Sequence, residues 1–320
     1  MPKTADYAIG VDLGGTYIKL GIVNEKGKIV KKAFLPTKAE KGPKTVIKQI
    51  KKGIKELLQD KEYKINGIGI GAPGVISIKK GTVENPPNFP GWGKIHLGNQ
   101  IEKAFGIEVK IENDANAAAI GEMIFGAGTN LKSFIMVTLG TGVGGGLILN
   151  KKLFRGDSGG AGEIGHITID YKGEPCNCGS IGCIEAYAGN NYFINRVKKE
   201  LNEHQDSKIW ELINKDIDSL TPKTICEAAN QNDEYAISLI VQLGLLVGYS
   251  LASIVNVLDV PDLIVGGGVS GFGKLLFQNI EKGIKERVLK SLVPKIKVHP
   301  AKLKNDAGVK GASALVFYRA

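Results

Sequence analysis

The sequence predicts an α/β protein built from two related halves, and three observations carry that prediction. Apolar strand-like runs alternate with helical runs along the chain. A hairpin plan near the N-terminus recurs in residues 133–154. Glycine is abundant, at 43 residues, and it clusters in turns that follow apolar strands. A chain of 320 residues has room for two domains, and two halves on one plan are expected to face a shared cleft.

In residues 7–35, Ala8, Ile9 and Val11 open a strand, and Asp12-Leu13-Gly14-Gly15-Thr16 forms the first turn. A second strand over 17–23 leads through Asn24-Glu25-Lys26-Gly27 into a returning strand over 28–34. Val11, Leu13, Gly14 and Asn24 match Val137, Leu139, Gly140 and Asn150 at one constant offset, with Thr138 in place of Asp12. Residues 44–58 place Val46, Ile47, Ile50, Ile54, Leu57 and Leu58 on one helical face. Strands follow at 65–72 and 109–112. Asn113-Asp114 ends the latter strand, and 115–125 reads as a helix. A strand at 263–265 runs into Gly266-Gly267-Gly268. Residues 187–235 have helical character without clear bounds.

The basic excess is +10, from 42 basic and 32 acidic residues. Arg occurs only at 155, 196, 287 and 319, whereas groups that read bases and phosphates favour the Arg fork. The Lys-rich stretches are interspersed with Glu and Asp and read as solvated faces, so no nucleic-acid partner is expected. Residues 236–258 are long enough to span a bilayer, but Gln242, Ser250, Ser253 and Asn256 interrupt them, and a buried helix rather than a membrane span is expected. Residues 1–10 lack a signal-peptide core, which points to the cytoplasm.

Three Gly-rich turns follow apolar strands: Asp12 to Thr16 with Gly14 and Gly15, Gly140 to Gly146 with Thr141 and Gly142, and Gly266 to Gly268. Such turns let backbone N–H groups approach a phosphate with no Cβ in the way. One alone would read as a tight hairpin; three favour a nucleotide. None has the Gly-Lys-Ser/Thr of a P-loop. Lys19 could reach a phosphate or be a surface residue. Asp114, at a strand end and helix start, could be an ionised base for a hydroxyl or a plain N-cap. Cys176-x-Cys178-x4-Cys183, with His166 ahead of it, has the composition of a closed tetrahedral zinc site that folds a loop. Glu163, His166 and Glu185 flank that loop, and with Asn88 they suit a sugar's hydroxyls, although surface Glu and a rigid Pro-rich loop are the plainer readings. Cys226 has no evident role.

Together these residues resemble the ROK family of repressors and kinases. Leu139-x2-Gly142-Val143-Gly144-x-Gly146-Leu147, then Gly156, Gly162 and Gly165-His166, is similar to the family signature, and residues 176–185 follow as its zinc motif does. The resemblance implies an actin-like, hexokinase-like (ribonuclease H-like) ATPase fold with a cleft between two domains, 1–116 plus about 305–320 and 117–304. It implies ATP with Mg²⁺, the latter helped by Asp12, and a structural Zn²⁺ on His166, Cys176, Cys178 and Cys183. It implies phosphate contacts at Asp12 to Thr16 and at Gly140 to Gly146, and adenosine contacts at Gly266 to Val269, which include Gly267 and Gly268. Asp114 would be the general base. Asn88, Asn113, Glu163, His166 and Glu185 would hold the sugar, with His166 sharing itself between zinc and a hydroxyl. The subgroup is similar to glucokinases, so the expected reaction is phosphorylation of a hexose at the 6-hydroxyl, with glucose first. A kinase for N-acetylated amino sugars such as N-acetylmannosamine, a polyphosphate-using glucokinase and a sugar-responsive repressor are the rivals. The repressor would need a DNA-binding segment ahead of Asp12, for which this sequence has no room. A homodimer or homotetramer is what the family suggests.

Overall fold

The structure, a computed structural model, describes residues 6–59 and 62–318. The described elements run in chain order: β1 (Tyr7–Leu13), β2 (Tyr17–Asn24), β3 (Ile29–Pro36), α1 (Pro43–Leu57), β4 (Ile65–Ala72), β5 (Val75–Ser77), β6 (Thr82–Glu84), β7 (Lys94–Ile95), α2 (Leu97–Phe105), β8 (Val109–Asn113) and α3 (Asp114–Phe125). They continue with β9 (Phe134–Leu139), β10 (Val143–Leu149), β11 (Lys152–Phe154), α4 (Glu185–Ala188), α5 (Asn190–Glu200), α6 (Ile209–Leu212), α7 (Pro222–Asn230), α8 (Glu234–Leu258), β12 (Asp262–Gly266), α9 (Lys274–Arg287), β13 (Lys297–Pro300) and α10 (Ala307–Phe317).

Two five-stranded sheets have orders β3-β2-β1-β4-β8 and β11-β10-β9-β12-β13. These are the same plan twice: an antiparallel hairpin meander whose first strand then pairs in parallel with a later one. The repeat seen at a constant sequence offset is thus a repeat of sheets. The hairpin tips differ. Asn24 closes its turn by accepting from Lys26 N and Lys28 N, with Gly27 at φ 77°, whereas Asn150 and Lys151 both have positive φ in a two-residue turn. The glycine run expected as one long turn is divided: Gly140 to Gly142 make the turn, and Gly144 to Gly146 lie inside β10.

The chain divides into two compact units, the first Met1–Lys132, Gly146–Gly162 and Lys302–Ala320, the second Ser133–Gly145 and Glu163–Ala301. The first expected boundary, at 116/117, falls within α3, which lies whole in the first unit. In that unit α1 starts at Pro43 after Gly42 and buries Val46, Ile47, Ile50, Ile54 and Leu57, leaving its Lys face outside. Each of these fully buried aliphatics contributes about 1.5–3 kcal/mol. α10 lies so close on β1 and β4 that a Cβ on Gly69 would stand 1.8 Å from the Ala312 carbonyl oxygen, and α10 also meets α3 at Gly121 and Gly311.

In the second unit α8 is the long apolar helix, with 50% of its most apolar window buried and its small residues Gly244 and Gly248 against α9. One side packs on α9, as in the expected buried helix, while the other half of the stretch is not buried, Val257 among it. α5 to α7, with several short 3₁₀ turns, occupy the stretch whose bounds the sequence left open.

Candidate active site and metal centre

The first unit collects its functional residues at the carboxyl ends of β1, β4 and β8, three parallel neighbours. In an open α/β sheet this is where ligands bind. Asp12 pairs in register with Gly71 on β4, and Gly71 with Glu112 on β8. A Cβ on Gly71 would lie 3.7 Å from Asp114 Cα, so this glycine lets Asp114 approach the strand ends. Burial, with the Asp114 charge adding to it, pushes the Asp12 carboxyl up to about 6 from 3.8, against the opposing effect of Lys19. Lys19 stands directly across β2 from Asp12. Lys19 is exposed on its strand, as its surface reading expects, and its charge also acts on Asp12.

The start of α10 completes this corner. A Cβ on Gly308 would sit 2.1 Å from Asp12 Oδ2, so the helix can begin against the carboxylate only because residue 308 is glycine. A helix N-terminus favours the anion there. Gly308 was missed in the sequence, because the chain gives no hint that residue 308 returns to residue 12.

Asn113 is the N-cap of α3: its Oδ1 accepts from Ala115 N at 3.0 Å and Asn116 N at 3.2 Å. Asp114 is therefore not the cap, and the plain alternative weighed for it falls to its neighbour. The Asp114 side chain remains solvent-accessible, yet it sits low among protein atoms. That desolvation raises its pKa above the ordinary carboxylate value, opposed by the hydrogen bond that Oδ1 accepts from Ala115 N at 2.8 Å. A carboxylate held this way is a better proton acceptor than a free one. Glu112, buried beneath, was also missed; it pairs with Arg155 at 2.8 Å.

The first Gly turn is fixed by Thr37, whose Oγ1 donates to Gly14 O at 2.7 Å and whose N–H donates to Thr16 O at 2.9 Å. Gly15 and Thr16 are exposed at its tip, and Asn88 Cβ lies 3.6 Å from the position a Gly15 Cβ would take. Asn88 has φ 67° in a loop anchored by buried Phe89 and Trp92, with Trp92 Nε1 donating to Val83 O at 3.2 Å. Asp12, Gly14, Gly15, Thr16, Asn88, Asn113 and Asp114 thus lie on adjoining segments of one unit.

The second unit gathers the remaining candidates. Gly140 N donates to Gly142 O at 2.9 Å, closing the turn that presents Thr141. Gly267, with φ 87°, stands against Leu139 O, so Gly267 and Gly268 lie beside that turn. Glu185 ties the turn down: its Oε2 accepts from Val143 N at 2.9 Å. One carboxylate oxygen of this proposed sugar ligand is thus already engaged. Glu163 and His166 are exposed at either end of a short 3₁₀ turn, Ile164–His166.

His166, Cys176, Cys178 and Cys183 bring one ligand atom each within 4.8 Å of one another. Cys178 Sγ and Cys183 Sγ are 3.7 Å apart, and Cys176 Sγ is 3.7 Å from His166 Nδ1. Thiolates about 2.3 Å from a tetrahedral zinc would stand about 3.8 Å apart, so the donor set fits this metal. Nδ1 faces the thiols, which leaves Nε2 for another partner. Burial, with the neighbouring thiols adding to it, pushes Cys183 up to about 12, and a cation held by the cluster would favour its thiolate. The loop is braced from outside: Tyr187 and Tyr192 hydroxyls accept from Glu174 N and Asn177 N, and bridges join Thr168 to Cys183 and Pro175 to Ile181. Cys226 lies apart, its thiol directed at Gly271 O.

The family model described as ROK family matches residues 8–318. A glucokinase of Thermotoga maritima is 34% identical, covering 100% of this chain and 99% of that protein. A xylose repressor of Caldicellulosiruptor bescii is 33% identical over 98% of this chain and 79% of its own length. A solved ROK family glucokinase from Streptomyces griseus, in complex with glucose and AMPPNP, is 36% identical with a TM-score of 0.85, covering 97% of this chain and 98% of that one.

Proposed function

The chain belongs to the ROK family, and from that premise we propose that it is an ATP-dependent sugar kinase that converts glucose to glucose 6-phosphate. The observation that carries the reading is the corner at the ends of β1, β4 and β8, where Asp114 and Asp12 come close enough for the charge of one to raise the pKa of the other. A carboxylate base beside a carboxylate suited to a divalent cation is the equipment phosphoryl transfer needs. Full-length similarity to glucokinases supports glucose as the acceptor.

In this reading Asn88, Asn113, Glu163, His166 through Nε2, and Glu185 through Oε1, which Cys176 Sγ approaches at 4.0 Å, orient the hexose. Asp114 takes the proton of the 6-hydroxyl as its oxygen attacks the γ-phosphorus of ATP. The new O–P bond forms as the bond to the β,γ-bridging oxygen breaks, and ADP leaves with that electron pair. Gly14 and Gly140 shape the turns, their N–H groups donating to Tyr17 O and Gly142 O; backbone N–H groups of Gly15, Thr16, Thr141 and Gly142 receive charge on the phosphoryl oxygens, and Gly267 and Gly268 accommodate the adenosine end. Asp12 would hold Mg²⁺, which supplies neutralisation of the phosphates; its strained, desolvated carboxyl fits a divalent cation. The four zinc donors leave no open position, so that metal folds the loop bearing His166 and Glu185. The protein is read as a cytoplasmic homo-oligomer.

The test is release of ADP from Mg-ATP across glucose, mannose, fructose, N-acetylglucosamine and N-acetylmannosamine. Turnover led by glucose supports the reading. A preference for an N-acetylated sugar keeps the reaction and moves the substrate, and turnover only with polyphosphate moves the donor. Similarity to the xylose repressor supports a second reading, sugar-dependent DNA binding. A gel shift with genomic DNA at moderate salt, lost on adding xylose, together with no turnover on any sugar, would favour it.

A further inference from the structure

Arg is scarce in this chain, four residues among 42 basic ones, and one of the four is committed to a buried ion pair. Arg155, just after β11, donates from Nε to Glu112 Oε2 at 2.8 Å. The Glu112 side chain is 4% exposed and that of Arg155 28%. Burying a carboxylate so deeply costs least with a charged partner and with its remaining lone pairs in use. Both conditions hold. The other oxygen, Oε1, accepts from Asn113 N at 3.0 Å and from Asn116 Nδ2 at 3.3 Å.

The two donors belong to residues on either side of Asp114. Asn113 is the N-cap whose side chain sets the first turn of α3, and Asn116 lies in that turn. Asp114 sits between them. Glu112 therefore grips the backbone and a side chain that together frame the proposed base. Arg155 is itself fixed: its carbonyl accepts from Ala161 N at 3.0 Å, across a turn in which Gly156 has φ 67°. The Asn116 Oδ1 is buried with no partner, so Asn116 is held from its Nδ2 end by Glu112 alone among the described residues.

We infer that Arg155, acting through Glu112, is a positioning residue that fixes Asn113 and Asp114 for catalysis. The inference rests on the kinase reading, because it is the orientation of Asp114 toward the sugar hydroxyl that the pair would set. Arg suits the task better than Lys. Its planar guanidinium gives Nε a fixed direction, whereas an ammonium on a flexible stem would satisfy the charge without the geometry.

Four forms decide the matter: Arg155→Met, Arg155→Lys, Glu112→Gln and the apolar pair Glu112→Leu/Arg155→Met. Arg155→Met strands a buried carboxylate and is expected to lower stability as well as activity. The double variant removes both charges together, so stability should return toward the starting protein. Its kcat should nevertheless stay down by about 100-fold, because a misoriented base loses turnover steeply. The glucose dissociation constant, read by calorimetry, should rise by less than about 10-fold, since four of the five sugar contacts are elsewhere. Arg155→Lys should recover part of kcat. Glu112→Gln should retain more activity than the double variant, as its amide oxygen can still accept from Asn113.

Amide exchange supplies a readout that needs no turnover: residues 112–117 should exchange faster in the double variant while β1 is unchanged. If the starting protein phosphorylates no sugar, the kinase reading fails on its own, and exchange still tests the anchoring. A double variant with native stability and either kcat within about 3-fold of the starting protein or unchanged exchange at 112–117 would overturn the inference.

Discussion

Replacing Asp12 by Asn should make the protein more stable while it abolishes turnover. In the metal-free protein the Asp12 carboxyl is held at about 6, against 3.8 when unperturbed, chiefly because burial penalises its charge. At about 1.36 kcal/mol per pH unit, ionised Asp12 costs the folded state about 3 kcal/mol. Partial solvent access screens some of this, so the expected gain for Asp12→Asn is about 1–2 kcal/mol. The pH window follows from the raised value. Below about pH 4 the carboxyl is protonated in folded and unfolded chains alike, and no penalty exists. The penalty grows as pH rises from about 4 to about 6 and is complete above that. The advantage of the variant should therefore be full at pH 8 and vanish near pH 4. Urea unfolding of both proteins in Mg²⁺-free buffer across this range measures it. Mg²⁺ should stabilise the starting protein and not the variant. An Asp12→Asn protein that is no more stable at pH 8, or whose advantage is equal at pH 4, would refute the assignment of Asp12 as a strained, metal-ready carboxylate.

Three further outcomes follow from the same structure. Asp114→Asn should lower kcat by about 10²–10⁴-fold with glucose affinity by calorimetry nearly unchanged; turnover within a few-fold of the starting protein would remove Asp114 from the base role. Metal analysis should find one zinc per chain, and Cys183→Ser should lose it and unfold by urea at lower concentration; a native midpoint in a zinc-free variant would sink the structural role. Gly69→Ala should destabilise by about 3 kcal/mol or more, because the new Cβ falls 1.8 Å from Ala312 O and helix α10 must lift; a denaturation midpoint equal to the starting protein would show that α10 yields freely.

What was legible in the sequence is what the chain writes locally. The Cys176-x-Cys178-x4-Cys183 spacing needs only a tight loop to bring three thiols together, and Gly179 at φ 92° supplies the turn. The amphipathic period of α1 and the alternation of strands with turns are local in the same sense. The illegible parts depend on pairs far apart in the chain. Arg155 meets Glu112 across 43 residues, and Gly308 meets Asp12 from the far end of the chain. Neither pair carries a spacing rule. The sequence trace of the first is the rarity of Arg, four among 42 basic residues, and rarity names no partner. Glu112 was read as a strand end, because nothing in a strand pattern announces that an acid there points into the core.

On the proposed kinase reading, the duplicated sheet explains how the labour would be divided. β1 and β9 are equivalent first strands, and both lead into Gly turns. At the equivalent position one carries Asp12 and the other Thr138, which pairs with Gly266 on β12. A carboxylate in each half would place two costly buried charges where phosphates must also be received. Keeping one carboxylate, and setting Lys19 and the start of α10 against it, confines the anionic side of the chemistry to the first unit. The second unit is then left to offer neutral backbone amides at Thr141 and Gly142, with Gly140 N closing their turn on Gly142 O. Its own acid, Glu185, has one oxygen on Val143 N and the other 4.0 Å from Cys176 Sγ, so it is drawn into bracing the turn and the metal loop. On the proposed reading the same hairpin plan would serve as a cation-and-base half and as an anion-receiving half, and the sequences of the two halves part at Asp12 and Thr138, the ends of their first strands.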